Sequence, residues 1–225
     1  MRRNRARGIR GLALRAATLL GLAALAAGCG GSDEEQPRQV GAAGGLKVYE
    51  VASQGFELGL PPEWKVSSVD QALPAAERER LARENPEFAE AFEAVGSDES
   101  PVKLLAFDPK VEKEFATNVN VIAVPLPNGT TLEEFVEANR ADLAGLESIQ
   151  GDVDSEPVEL PAGPGERMQY RLGITTEGEQ LTVSTTQYYV VAGDRGYIVT
   201  FSTLPELLSR HEPEFERIAE SLRLD

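Results

Sequence analysis

The chain's one cysteine, Cys29, stands at the end of an uncharged run and divides the sequence into two parts that cannot share one fold. Ahead of it lie six arginines (Arg2, Arg3, Arg5, Arg7, Arg10, Arg15) and no acid, followed by the apolar run Ala16–Gly28. Behind it the balance inverts. Setting those six arginines aside leaves 16 basic against 37 acidic side chains, a body of net charge −21 hidden inside the overall −15. A charge split of this kind is an address before it is a fold. It also excludes function classes. One cysteine makes no intramolecular disulfide and no multi-cysteine zinc site, and one histidine builds no histidine-rich metal centre. A body this acidic does not hold nucleic acid through its phosphates, which requires a basic surface.

The apolar run is too short for a stable span, since its 13 residues reach roughly 20 Å as a helix against a hydrocarbon core of about 30 Å. A basic start, a short apolar centre and small residues at the end describe a secretory signal peptide over residues 1–28. The segment Leu25-Ala26-Ala27-Gly28-Cys29 resembles a bacterial lipobox. That resemblance implies cleavage before Cys29 and a diacylglycerol on its thiol, in a family where the new amine is often acylated as well. Two or more chains are what stable anchoring takes. The expected address is the extracytoplasmic face of the cell membrane, in the cell envelope, with the membrane itself as a partner through Cys29.

Residues 29–45 then read as the lipidated cysteine and a tether. Gly30–Gly45 holds five glycines and almost no large apolar side chain, too little to offset its ordering entropy, so a disordered spacer is expected. Residues 46–225 are long enough for one core of ordinary size. Strand signals fall at Lys47–Ala52, Phe56–Leu60 and Trp64–Val69, separated by Gly55 and Pro61-Pro62. A charged helical stretch, Pro74–Val95, is interrupted at Asn85-Pro86 and followed by the acidic loop Gly96–Pro101. Val102–Phe107 and Asn118–Leu126 read as strands. Thr130 and Glu133 have capping-box spacing ahead of a helix with Leu132, Phe135, Val136, Leu143 and Leu146 on one stripe.

Farther on, Met168, Tyr170, Leu172 and Ile174 alternate with Arg167, Gln169, Arg171 and Thr175. Short turns at Glu177-Gly178-Glu179 and Gly193-Asp194-Arg195-Gly196 make that strand, Leu181–Val191 and Tyr197–Thr203 an antiparallel meander. A last helix over Glu212–Leu222 buries Phe215, Ile218, Ala219 and Leu222. The order is that of a single α+β domain. The opening Phe56-Glu57-Leu58-Gly59-Leu60-Pro61-Pro62-Glu63-Trp64 is similar to the start of PsbP-like and DcrB-like domains, which recur in actinobacterial lipoproteins of the LpqN type. Gln187–Val191, Gly196–Phe201 and Phe215–Leu222 agree with it. The resemblance implies an α/β/α sandwich around a largely antiparallel sheet of about six to seven strands, with the helical stretch near residues 70–100 as an insertion. Its motifs are core residues and bring no ligand residue with them.

No catalytic motif surfaces. There is no G-x-S-x-G elbow, and the one cysteine belongs to the lipid signal. His211, just before Glu212-Pro213, reads as a helix-start or solvent-facing residue. No phosphate-binding glycine pattern occurs. Asp152, Asp154 and Glu156 fall at alternate positions, hence on one face of an extended segment. They are weak candidates for calcium beside the plainer reading of a solvated edge of the strand Val158–Leu160. Tyr170, Tyr188, Tyr189 and Tyr197 either pack the core or floor a ligand groove, and Trp64 reads as a core plug. The expectation is a non-enzymatic, cofactor-free lipoprotein that binds an envelope protein or a small ligand. The alternatives are a carrier with a cavity in the sandwich and a hydrolase working through paired carboxylates.

Overall fold

The computed structural model describes residues 37–225, apart from 96, 98, 99 and 114. The signal segment, Cys29 and part of the acidic loop at 96–101 therefore lie outside the described residues. Among the described residues, eleven strands form two antiparallel sheets. In chain order they are β1 (Arg38–Ala43), β2 (Leu46–Val51), β3 (Phe56–Leu60), β4 (Lys65–Val66), β5 (Val102–Glu112), β6 (Phe115–Pro125), β7 (Ile149–Leu160), β8 (Gly163–Thr176), β9 (Glu179–Ala192), β10 (Arg195–Thr203) and β11 (Arg223–Leu224). The large sheet runs β4-β5-β6-β10-β9-β8-β7 and the small one β1-β2-β3-β11. The helices are α1 (Val69–Ala72), α2 (Ala75–Glu84), α3 (Ala89–Val95), α4 (Leu132–Leu143) and α5 (Leu208–Ala219).

Alternation builds the layers. Leu104, Ala106, Val119, Val121, Val199 and Phe201 on one face of the large sheet pack with Phe56, Leu58 and Leu60 of the small sheet and with Phe215 and Ile218 of α5. The intervening residues Leu105, Phe107, Ile122, Ile198 and Tyr189, with Met168 and Leu172 of β8, meet Leu81 of α2, Phe92 of α3 and Phe135 of α4. One sheet thus serves two cores, and the architecture is the expected α+β sandwich around a mainly antiparallel sheet.

Several boundaries differ from the sequence reading. The spacer expected to run to Gly45 ends earlier, because Arg38–Ala43 pairs with β2. Gly44 and Gly45 take φ of 59° and 79°, the positive values a two-residue hairpin turn requires. Every residue of β1 is exposed. Its order comes from the backbone ladder and the Arg38–Glu50 ion pair, which composition does not register. The strand expected at Trp64–Val69 is only β4, since Ser68 accepts a hydrogen bond from the Gln71 amide and starts α1. The α4 cap sits one residue on from the expected one. Thr131 Oγ1 accepts from the Glu134 amide at 3.2 Å and Glu134 Oε2 accepts from the Thr131 amide at 3.0 Å. Thr130 instead donates its hydroxyl to the Pro127 carbonyl. The last helix starts at Leu208, four residues early, because Leu208 and His211 extend its apolar stripe at i−7 and i−4 from Phe215. Pro213 is exposed within it, and so is Ser209, whose carbonyl it leaves without a helical donor.

Candidate functional site

β7 is an edge strand with a single neighbour, β8. Its register breaks where Gln150 faces Arg171 and Asp154 faces Gln169, so residues 151–153 stand opposite the single residue Tyr170. Gly151, at φ 80°, takes the conformation that opens this bulge. The alternate spacing of Asp152, Asp154 and Glu156 therefore does not put three carboxylates on one regular face. Glu156, past the bulge, lies in register with Arg167 and binds its guanidinium at 2.7 Å. Arg167 also pairs with Glu212 of α5. Among the described residues no group of three or more His, Cys, Asp or Glu side chains is arranged to hold a metal ion. The pairing of Glu156 with Arg167 supports the edge reading of these acids. Charges, a bulge and Pro157 on an edge strand also block pairing with another chain.

The bulge opens a cleft of about 300 Å³ lined by Gln150, Asp152, Asp154, Gln169, Arg171, Ser184 and Leu208, with Gly151, Tyr170 and Thr185. Ser184 is the cross-strand neighbour of Arg171. It is 2% exposed, and its hydroxyl has no hydrogen-bond partner. Gln169 donates to Thr186 Oγ1 and to Glu212, each at 3.1 Å. Gln150 Oε1 accepts from the Thr182 hydroxyl at 3.1 Å. A second, wider cleft of about 630 Å³ opens where the α2–α3 junction approaches the end of α4, lined by Glu84, Asn85, Glu87, Glu147 and Gln180 among others. Two of its carboxylates are engaged by backbone amides: Glu84 by that of Glu177 at 3.0 Å, and Glu87 by that of Glu147 at 3.2 Å.

On the opposite face of the large sheet, the register places Asn118, Ser202, Thr185 and Tyr170 in one row and Asn120, Thr200, Gln187 and Met168 in the next. All eight are buried. Tyr189 donates its hydroxyl to Gln187 Oε1 at 2.5 Å, and Gln187 donates to Thr200 at 3.1 Å. Asn118 Oδ1, Ser202 Oγ and Thr185 Oγ1 have no protein partner. Groups of this kind are commonly met by internal water, at about one buried molecule per 27 residues.

The remaining candidates are core residues. Tyr170, Tyr188, Tyr189, Tyr197 and Trp64 are all buried. Tyr197 donates to the Gln54 carbonyl at 2.8 Å. Burial, opposed by the nearby Arg167, lifts the Tyr188 hydroxyl to about 12, and burial also holds Tyr189 well above the ordinary phenol value. His211 is the fourth residue of α5, at its start, but it does not face solvent. It is 8% exposed, stacks on Phe215 with ring centroids 5.9 Å apart, and holds Nδ1 3.8 Å from Glu214 Oε1. Cys29 lies outside the described residues. Sequence reading missed Ser184 as a site residue. It placed Arg171 and Gln169 on the outward face of β8 without a role. The available signal was Gly151 inside a polar strand run, which marks a bulge.

No family model matches the chain, and no curated protein matches it. Solved structures do. The solution structure of cyanobacterial PsbP (CyanoP) from Synechocystis is 14% identical, covers 88% of this chain and 98% of its own, and superposes with a TM-score of 0.50. LpqN of Mycobacterium tuberculosis, described as involved in cell envelope biogenesis, is 12% identical over 84% of this chain and 90% of its own, with a TM-score of 0.47. The Ran-binding protein Mog1p of Saccharomyces cerevisiae is 9% identical over 80% and 95%, with a TM-score of 0.46. At these identities the likeness concerns the fold, which is PsbP-like.

Proposed function

We propose that the chain is a lipid-anchored extracytoplasmic protein whose PsbP-like domain is a non-catalytic binding module of the cell envelope. The observation that carries the address is Cys29, the only cysteine, placed behind a basic segment and a short apolar run in lipobox context. No helix among the described residues is long and apolar enough to cross a membrane, so attachment of this body is assigned to the lipid. Open polar clefts at the sheet edge support recognition over turnover, and the single imidazole is committed to a stripe against Phe215 and Glu214.

The test is expression of the full chain and of its Cys29→Ser form in a bacterium with lipoprotein processing. The parent should partition with membranes and gain the mass of its acyl chains. Cys29→Ser should lose that mass and either stay uncleaved or appear in the soluble fraction. Identical mass and fractionation of the two forms would refute the anchor.

A further inference from the structure

The cleft beside the β7 bulge is where the molecule leaves opposite charges unused. With 16 basic against 37 acidic side chains after the leader, a cation on this surface has carboxylates in excess around it. Arg167, four residues before Arg171 on the same face of β8, shows the usual result in its pairs with Glu156 and Glu212. Arg171 has no such partner. Neither its side chain nor those of Asp152 and Asp154 make a hydrogen bond or ion pair among the described residues, although all three line one cleft. Directly across from Arg171, the Ser184 hydroxyl is buried and without a partner at the floor of that cleft. A buried hydroxyl left unpaired is destabilising, and a group bound from outside would offset that.

We infer that this cleft binds a small zwitterion of the free α-amino acid class. Its carboxylate meets the Arg171 guanidinium and the Ser184 hydroxyl, and its ammonium meets Asp152 and Asp154 on the bulge. Guanidinium and carboxylate make the stronger, geometrically matched kind of hydrogen bond. A bare anion would leave the two aspartates facing negative charge. A bare cation would leave Arg171 and Ser184 unmet. The volume, about 300 Å³, is at the low end of small-molecule sites. The bulge is the device that turns Asp152 out of the regular pleat toward the rim, as bulges beside binding sites do.

This assignment deepens the binding half of the reading above and is independent of the anchor, which fractionation tests separately. The experiment is calorimetric titration of the full chain in detergent with the proteinogenic α-amino acids, each repeated as its N-acetyl and its carboxamide derivative. At least one free amino acid should give saturable heat, with binding at least about tenfold weaker for both blocked forms. Arg171→Met and the double variant Asp152→Asn/Asp154→Asn should each lose that heat while keeping the parent Tm, since all three side chains are exposed. Ser184→Ala should weaken binding without destabilising the fold. The assignment is overturned if no free amino acid binds, if a blocked form binds as well as the free one, if Arg171→Met still binds, or if calcium alone gives the heat.

Discussion

Asn85 shows how much one side chain carries in this fold. β8 runs on past the start of β7, so the backbone at Thr175 has no strand on that side. Asn85 takes the place of one. Its Oδ1 accepts from the Thr175 amide and its Nδ2 donates to the Thr175 carbonyl, both at 2.8 Å, with a further 3.0 Å bond to the Leu81 carbonyl. Asn85 is followed by Pro86 and ends α2, which frees the side chain to reach the sheet. Asn85→Ala removes both partners of a part-buried peptide edge and is expected to cost about 1–3 kcal/mol in urea denaturation. Asn85→Asp keeps the acceptor and loses the donor, so it should be destabilising as well. A loss within about 0.5 kcal/mol for Asn85→Ala would show that water replaces the side chain at no cost. Glu214 supplies the pH-sensitive residue. Burial, opposed by His211, holds its carboxyl above the ordinary range. The folded state thus binds this proton more tightly than the unfolded chain. The contribution favours folding in acid, declines as pH rises from the usual glutamate value through the raised folded one, and is lost above it. Glu214→Gln should flatten stability against pH across that window, read as urea midpoints at successive pH. An unchanged slope would place the dependence elsewhere.

At the scale of elements, the parts legible in the sequence are those whose side chains carry the periodicity. The meander β8-β9-β10 follows from alternation and short turns, and Met168, Tyr170, Leu172 and Ile174 are buried as their spacing requires. The break at Asn85-Pro86 is equally plain, though nothing in the sequence indicates that the asparagine docks on β8. Where backbone bonding decides, the sequence is silent. β1 carries no buried side chain, and only its ladder to β2 makes it a strand. The α4 cap illustrates a different limit. Thr130 and Thr131 are adjacent with Glu133 and Glu134 three residues on from each, so two capping boxes have the same spacing. The choice between them rests on which hydroxyl the Pro127 turn engages. The candidate cleft is legible in pieces: outward Arg167, Gln169 and Arg171, and acids at 152, 154 and 156. Its assembly depends on a register shift that moves three residues opposite one, a property of pairing rather than of either strand alone.

For the molecule as a whole, the large sheet is shared by two cores, and strands that serve both, β5, β6, β9 and β10, lie in its interior. Their amides are expected to be the last to exchange with solvent, while those of β1 should exchange first, since opening β1 uncovers no apolar side chain. Hydrogen exchange followed by mass spectrometry resolves this order. Protection of β1 equal to that of β10 would contradict it. The placement of β1 also matters for mechanics. Between Cys29 and Arg38 lie eight residues, which even fully extended reach at most ~29 Å. If Cys29 is held in a membrane, a pull on the domain enters the fold at Arg38. There β1 is fastened to β2 by an exposed ion pair with Glu50 at 2.7 Å and by its ladder. The load enters at one end of that ladder, so the pairs open one after another like a zip instead of sharing the force. Each opened pair pays out chain until Leu46 is reached, and residues 38–45 then add up to ~29 Å of leash. Neither hydrophobic core loses a contact in the process. The hairpin is a ripcord, lengthening the attachment under tension before the domain itself is strained.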